Sequence, residues 1–354
     1  MAAHGRILAL GGEPGIGKTR TARMLASDAM GRNTPVLWGR GLEEPAAPPY
    51  WPWLQVFRDW LGTQDDEAQL TATLGDAASF IAGIVPELAR RIPDLSPVPP
   101  TADASYARFR LFDAIAGFLQ RAAAPHGLVV ILEDVHWADA PSLRLLEFLA
   151  PGVGACRLLL LFTYRDIALS RHHPLSNTLG ELARHPAFQR LRLTGLTLPE
   201  TGKFMTAAAG QRPPAALLAA VHNQTEGNPL FVGEMARFLV RERLIGPQGA
   251  RLLSGTAGIP GRRIPEGVRE VIGRRLNRLS PLCNQVLATA AVVGRSFRIG
   301  ILSRLIPDGL PSEQLAAALA DPAAGRERRR RFVASFLRPH GLETPAAALV
   351  ADAI

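Results

Sequence analysis

The stretch that decides the fold is Gly12-Glu13-Pro14-Gly15-Ile16-Gly17-Lys18-Thr19. It fits the pattern G-x-x-x-x-G-K-T, it follows an apolar segment at residues 6–10 that predicts a strand, and it opens a segment with helical spacing. Glycines let a loop turn its N–H groups towards an anion, and the start of the next helix adds the positive end of its dipole. Lys18 supplies a mobile positive charge, and the Thr19 hydroxyl suits Mg²⁺. We therefore predict that the phosphates of ATP contact Gly12, Glu13, Pro14, Gly15, Ile16, Gly17, Lys18, Thr19 and the adjoining Arg20.

An acidic pair follows the next strongly apolar run. Leu128 to Leu132 predicts a buried strand, and Glu133 and Asp134 come directly after it. A phosphate loop needs a carboxylate at the end of a second strand to complete a Mg²⁺ site, and its neighbour can polarise the attacking water. The sequence leaves the division of roles open. Position favours Glu133 at the metal and Asp134 as the water-activating group, with Thr19, Glu133 and Asp134 together forming the predicted Mg²⁺ site.

Arg165 is the third catalytic candidate, in the segment Thr163-Tyr164-Arg165-Asp166 that ends the following predicted strand. The carboxyl ends of parallel strands face one crevice, so an arginine there is placed to reach the γ-phosphate and to distinguish ATP from ADP. The alternative is an arginine that caps a surface loop.

Three further features allow more than one interpretation. Gly227-Asn228-Pro229 lies between two helical segments, where the proline either lies beside the nucleotide or simply starts a helix. Tyr50-Trp51-Pro52-Trp53 ends a predicted loop and is either a buried wedge or an exposed surface for a partner. His136 has no second ligand at metal spacing, so packing is favoured over catalysis.

The order of segments predicts an α/β fold. Five predicted strands alternate with helical segments, which indicates a parallel sheet with helices on both faces. One interruption, near Gly62, is expected in the helical segment 53–92. We predict five regions: an α/β nucleotide-binding domain at 1–194, helices at 195–243, a linker at 244–264, a partial helical domain at 265–320 and a basic tail at 321–354.

Composition narrows the classes of protein. The chain has 354 residues and a net charge of +9, but only Lys18 and Lys203 are lysines among its 40 basic residues. The arginines are spread along the chain, so they mark no nucleic-acid surface, and the run Arg326–Arg331 is most simply a solvated tail. No apolar run approaches the roughly 18 residues of a membrane helix, and two isolated cysteines suit a reduced, cytoplasmic setting.

The motifs together resemble a known family. The phosphate loop, Leu132-Glu133-Asp134-Val135-His136-Trp137-Ala138-Asp139, Thr163-Tyr164-Arg165-Asp166 and Thr225–Val232 resemble, in order and spacing, the AAA-type ATPase module of bacterial STAND signalling NTPases. Examples of that family are the large ATP-binding LuxR-type transcriptional regulators and their adenylate-cyclase-linked relatives. The resemblance covers about residues 6–310.

The resemblance implies more than the residues do alone. It implies a P-loop sheet of order 5-1-4-3-2, a helical lid at 195–243 and a winged-helix-like domain from about Pro265. It also implies that Arg165 is a nucleotide sensor and that Pro229 lies near the base. The chain lacks the family's N-terminal Val-Gly-Arg-Glu-type box and its long C-terminal sensor and output domains, so we expect it to be truncated at both ends.

The function predicted from the sequence is a regulatory switch that binds ATP with Mg²⁺ and hydrolyses it slowly. Its partner is an unknown protein or a second copy, with no membrane contact. One alternative is a DNA-binding transcription regulator, for which Arg274, Arg275 and Arg278 are the nearest candidate surface, although we expect no sequence-specific DNA binding. The other is a scaffold that binds nucleotide without turnover.

Overall fold

The computed structural model describes residues 4–43, 47–92, 103–166 and 173–241, with single residues at 95, 98, 245 and 288. The chain divides into two compact units, Met1–Leu193 and Thr194–Ile354. Apart from those single positions, the predicted linker, winged-helix-like domain and basic tail lie outside the described residues, as do the arginines of the predicted DNA-binding surface. The boundaries of the five predicted regions stay predictions.

A five-stranded parallel sheet forms the centre of unit 1. Its strands are β1 (Arg6–Gly12), β2 (Val36–Arg40), β3 (Leu128–Glu133), β4 (Leu158–Arg165) and β5 (Phe188–Arg192). Their order is β2-β3-β4-β1-β5, with every neighbouring pair parallel. The predicted order 5-1-4-3-2 is confirmed, since it is the same order counted from the other edge. Strand β3 is buried along its apolar run because helices cover both faces, whereas β5 forms an edge and exposes most of its side chains.

Helix α1 (Lys18–Gly31) packs on one face of this sheet. Its buried residues Ala22 and Ala26 lie against Val129, Ile131 and Leu161 of the central strands. Small side chains at helical spacing let the helix approach the sheet closely, which brings the start of α1 next to the end of β1. We call this side of the sheet the α1 face.

In the described part of unit 1, seven helices belong to the opposite side of the sheet, where the larger hydrophobic core lies. They are α2 (Trp51–Gly62), α3 (Glu67–Leu74), α4 (Ala78–Ala82), α5 (Pro86–Arg91), α6 (Ala104–Ala123), α7 (Ala140–Val153) and α8 (Pro174–Leu182). The predicted interruption near Gly62 is confirmed, since α2 ends there, but the prediction of a single interruption was wrong, because the segment also breaks around Gly75 and before Pro86. Gly75 has a φ of 49°, and a residue before proline avoids the helical region.

The aromatic segment at residues 50–53 is a buried wedge, as one of the two interpretations predicted. The Trp53 side chain is almost fully buried, and its Nε1 donates to the Ser142 carbonyl oxygen at 3.1 Å. The Tyr50 ring meets Phe112 edge to face, with the ring centroids 6.1 Å apart. The predicted loop ends earlier than expected because α2 already begins at Trp51, with Pro52 in its first turn.

Unit 2 shows three helices in its described part, α9 (Leu198–Ala209), α10 (Ala215–Thr225) and α11 (Pro229–Arg241). They share a separate hydrophobic core that includes Met205, Val221, Val232 and Leu239. The helical content predicted for this region is therefore present, while its role as a lid stays a prediction. Within the described parts of both units, no helix has the length and apolar character needed to cross a membrane.

Candidate nucleotide site

The loop between β1 and α1 takes its shape from backbone conformations that glycine adopts easily. Gly15 and Gly17 have φ values of 83° and 107°, in the left-handed region. Gly17 immediately precedes α1, and no side chain caps that end of the helix. The first N–H groups of α1 are therefore free of side-chain acceptors and form, with the loop, a concave donor surface suited to phosphate.

Lys18 lies inside this loop with only 7% of the residue exposed. Its Nζ donates to the carbonyl oxygens of Gly12 and Glu13, both at 2.8 Å. Burial lowers the pKa of Lys18 to about 8, and the charge of Arg165 adds to this, while Asp134, Asp166 and Glu13 act in the opposite direction. The ammonium group is thus held at the loop with little water around it, where an added anion would interact with it strongly.

The alternation of side chains along the strands decides which residues share the side of Lys18. Val129 and Ile131 of β3 and Leu159 and Leu161 of β4 pack on the α1 face. Side chains two residues apart point to the same face of a strand. Glu133 at the end of β3, and Thr163 and Arg165 at the end of β4, therefore continue these rows on the α1 face. The register pairs Arg165 directly with Gly12 at the start of the loop.

Glu133 carries a buried carboxylate oxygen without a partner. Its Oε1 is shielded from solvent and has no hydrogen-bond donor in the described part of the chain. The Glu133 backbone is fixed at the same time, since its carbonyl oxygen accepts from Gly41 N at 2.8 Å. A buried anionic oxygen is costly unless a cation or donor meets it, so this atom fits a metal ligand.

Asp134 has a different environment from its neighbour. Its backbone lies in the left-handed region, with φ 53° and ψ 41°, and its N–H donates to Thr163 Oγ1 at 3.0 Å. Its Oδ2 accepts from Arg40 Nε at 3.2 Å and from Nη2 at 2.9 Å. Arg40 ends β2, pairs in register with Glu133 and is 60% exposed at its side chain. The two carboxylates are therefore not equivalent: one oxygen of Asp134 is engaged by an arginine, and one oxygen of Glu133 is unpaired.

A second group of charged residues lies on the opposite face, beside Gly11. Asp166 Oδ2 accepts from Arg192 Nε at 2.9 Å, and Arg190 Nη2 lies 3.6 Å from Oδ1. Arg190 Nε also donates to the Tyr164 hydroxyl at 2.5 Å. Burial raises the pKa of Tyr164, and the nearby charge of Asp166 raises it further, so the phenol stays protonated. This network ties the ends of β4 and β5 together across β1.

The remaining predicted loop residues line up along the turn and the first turn of α1. Ile16 is buried, Glu13, Pro14 and Thr19 are half-buried, and Arg20 is exposed. Arg20 lies with Thr19, Arg23, Met24 and Ser27 along an open groove of about 540 Å³ on the outer side of α1. In the described residues there is no group of three or more His, Cys, Asp or Glu side chains that could hold a metal. One or two carboxylates combined with substrate phosphates suit Mg²⁺ instead.

Pro229 belongs to unit 2, whereas the phosphate loop belongs to unit 1. It is the first residue of α11, after Glu226 and Gly227 with positive φ values of 51° and 68°. The Asn228 side chain accepts from Leu230 N at 3.1 Å, which is the geometry of a helix cap. This local structure explains the Gly-Asn-Pro sequence as a helix start, and the contact of Pro229 with a base stays a prediction.

Sequence reasoning missed Arg40 and the acceptor Thr163 at this site, and Asp166 on the opposite face of the sheet. Each lies at the carboxyl end of a strand, which was the available signal, because those ends face the ligand crevice of a parallel sheet. His136, set aside as a ligand, is indeed 2% exposed, and its ring lies 4.9 Å from that of Trp137.

Residues 1–162 match the model of the AAA ATPase domain. The fold is that of a P-loop NTPase. The matched residues include the phosphate loop and the acidic pair, and they end three residues before Arg165. The match supports a nucleotide-binding ATPase. No curated protein matches the chain.

Several solved structures are similar to the chain at low sequence identity. A Walker-type ATPase of Pyrococcus abyssi is 12% identical with a TM-score of 0.49, covering 94% of this chain and 91% of its own. A STAND protein with a tetratricopeptide repeat sensor from Pyrococcus horikoshii is 14% identical with a TM-score of 0.40, covering 93% of this chain and 40% of its own. A RuvB variant of Thermotoga maritima is 15% identical with a TM-score of 0.39, and the match covers 92% of this chain and 80% of the RuvB chain.

Proposed function

We propose that this chain is a regulatory switch module, of the type found in signal-transduction and LuxR-type regulator proteins, that binds ATP with Mg²⁺ and hydrolyses it slowly. The observation that carries the proposal is the arrangement on the α1 face. The buried Lys18, the unpaired Glu133 oxygen and Arg165 all belong to one side of the sheet at the ends of adjacent strands. That combination supplies two cations for a triphosphate and a carboxylate for its metal.

Each residue has a proposed role. The loop from Gly12 to Thr19, with Arg20, binds the phosphates, and Lys18 exchanges its bonds to the Gly12 and Glu13 carbonyls for phosphate oxygens. Thr19 and Glu133 hold Mg²⁺, with Asp134 beside them. Bound there, Mg²⁺ supplies a Lewis acid that neutralises charge on the phosphates. Asp134 orients the attacking water, and Arg165 bonds the γ-phosphate.

A scaffold that binds nucleotide without turnover is the second candidate. The ion pair between Arg40 and Asp134 favours it, because Asp134 Oδ2 is occupied by two N–H donors. In that state the proposed water-activating carboxylate offers only its other oxygen. Turnover measurements separate the two candidates, since both require binding and only the switch requires hydrolysis.

The wider role follows from the same proposal. A switch needs a second element that responds to ATP and ADP differently, and unit 2, with Pro229 near the base, is our candidate for it. We propose a cytoplasmic protein that acts on an unidentified protein partner or on a second copy. We expect any DNA binding to be weak, independent of sequence and steeply dependent on salt.

The experiment that tests the switch is calorimetric titration of ATP and ADP into the wild-type chain and Arg165→Ala. A charge-assisted contact to the γ-phosphate contributes roughly 1.5 to 3 kcal/mol, which corresponds to about tenfold to a hundredfold in ATP affinity. ADP affinity is expected to stay nearly unchanged, and Arg165→Lys is expected to rescue poorly because it lacks the planar guanidinium. Equal losses for ATP and ADP would mean that Arg165 supports only the fold.

A further inference from the structure

We propose that Asp166 is a positioning residue for nucleotide discrimination, and that its ion pair with Arg192 holds Arg165 in place beside the phosphate loop. The inference rests on the proposed function, because it deepens the role given to Arg165. Asp166 is the next residue in the chain, but it lies on the other side of the sheet from the Arg165 side chain.

We call the contacts of Asp166 with Arg192 and of Tyr164 with Arg190 the clamp, and they join the ends of β4 and β5 across β1. Gly11 of β1 is paired in register with Tyr164 of β4 and with Arg192 of β5. The Asp166 carboxylate reaches over this row to Arg192 Nε at 2.9 Å, and Arg190 holds the Tyr164 hydroxyl at 2.5 Å. The Arg190 guanidinium also lies 5.4 Å from the centroid of the Tyr164 ring. The end of β4 is therefore attached to β5 by side chains, although β1 separates the two strands.

Gly11 shows why the bridge is possible. A Cβ atom at this position would collide with the Tyr164 hydroxyl and would come within 2.7 Å of Asp166 Oδ1. Because Gly11 has no side chain, Asp166 and Tyr164 have room to contact Arg192 and Arg190 of β5. This contact uses the residue immediately before Gly12, the first residue of the phosphate loop.

The clamp acts on Arg165 through the backbone. Arg165 is the last residue of β4. It pairs with Gly12 of β1, but the pairing of β4 with β3 ends at Phe162, so this end of the strand can fray readily. The Asp166 side chain, 12% exposed, fixes the peptide that follows Arg165, while the bond from Leu193 N to Gly11 O, at 2.9 Å, fixes the end of β5 against β1. With both anchored, the guanidinium of Arg165 starts from a defined position next to Gly12. Loss of the clamp would leave the same arginine in the site with more conformations to lose on binding.

The test compares the ratio of ATP to ADP affinity across matched variants, measured by calorimetric titration with Mg²⁺. The variants are Arg165→Ala, Asp166→Asn, Arg192→Gln and the double variant Asp166→Asn with Arg192→Gln. Glu181→Gln is the control, because Glu181 of α8 pairs with Arg184, just after that helix, at the same 2.9 Å and belongs neither to the loop nor to the ends of β4 and β5. If Asp166→Asn fails to fold, Arg192→Gln carries the test alone, since the Arg192 side chain is 72% exposed.

We expect Arg165→Ala to remove the preference for ATP, and each clamp variant to lower the ratio by about threefold to tenfold. The double variant should lose no more than either single one, ADP affinity should stay within about twofold, and the control should match the wild type. A ratio that falls in Arg165→Ala but stays within about twofold of wild type in Asp166→Asn and Arg192→Gln would overturn the clamp and leave the sensor standing. A ratio unchanged in Arg165→Ala would instead overturn the sensor, and with it the clamp.

Discussion

The phosphate loop lies at the carboxyl end of β1, and the acidic turn, formed by Glu133 and Asp134, lies at the carboxyl end of β3. The two are held in different ways. Lys18 is fixed by carbonyl oxygens five and six residues away in the sequence. Asp134 is fixed by Arg40 and Thr163, which are 94 and 29 residues away. The loop is therefore a local structure that its own sequence specifies, and the turn depends on the assembled sheet. We therefore expect the loop to bind the nucleotide and the acidic turn to control its hydrolysis.

The largest effect is expected from a substitution in the acidic turn that leaves the phosphate loop intact. Asp134→Asn keeps the shape of the side chain but removes the charge that orients water, so hydrolysis should fall by about a hundredfold to ten-thousandfold. ATP affinity should stay within about twofold, because the phosphate loop is intact. Steady-state phosphate release and calorimetric titration measure the two quantities, with Asp28→Asn on the exposed face of α1 as the control.

Glu133→Gln extends this comparison to the neighbouring carboxylate. It should raise the Mg²⁺ concentration needed for ATP binding, which Asp134→Asn should not do. If Asp134→Asn raised the Mg²⁺ requirement while Glu133→Gln abolished only turnover, the proposed roles would have to be exchanged.

The next effect concerns the loop alone. The pKa of Lys18 is lowered to about 8, mainly by burial and then by Arg165. Phosphate binding favours the charged form and raises that pKa, so above about pH 8 the complex holds more protons than the free chain. ATP affinity should then decrease by roughly tenfold or more between about pH 7.5 and about pH 9.5. Calorimetry at about pH 8.5 in buffers of different ionisation enthalpy should show proton uptake. A flat profile, or the same profile in Lys18→Met, would assign the titration to another group.

The smallest effect concerns the ion pair that holds the turn. Arg40 is well exposed, so its pair with Asp134 contributes at most about 1 kcal/mol to stability. Arg40→Gln frees Asp134 Oδ2, and hydrolysis should rise by up to about fivefold while ATP affinity stays constant. Arg40→Lys keeps the charge but not the two-nitrogen contact, so its hydrolysis rate should lie between those of the wild type and Arg40→Gln. A tenfold fall in turnover would show that Arg40 acts on the phosphates themselves.

The same contrast explains how far the sequence could be interpreted. The loop was predictable because its glycines, its lysine and the following helix lie within a few residues. The sheet order came with the family resemblance, since no local pattern states which strands are neighbours. The pairing of Asp134 with Arg40, and of Asp166 with Arg192, depends on strand register and on side-chain contacts between distant segments. The breaks at Gly75 and before Pro86 were missed because helical periodicity continues across them.

The central claim is that Lys18 and its loop bind ATP with Mg²⁺, and thermal unfolding tests it most directly. At a nucleotide concentration about a hundred times Kd, binding to the native state should stabilise the wild-type chain by roughly 2.7 kcal/mol. Lys18→Ala should lose most of that stabilisation, while Lys203→Ala, which removes the only other lysine of the chain from an exposed position on α9, should keep it. Equal stabilisation of the wild type and Lys18→Ala would contradict the assignment of this loop as the phosphate site.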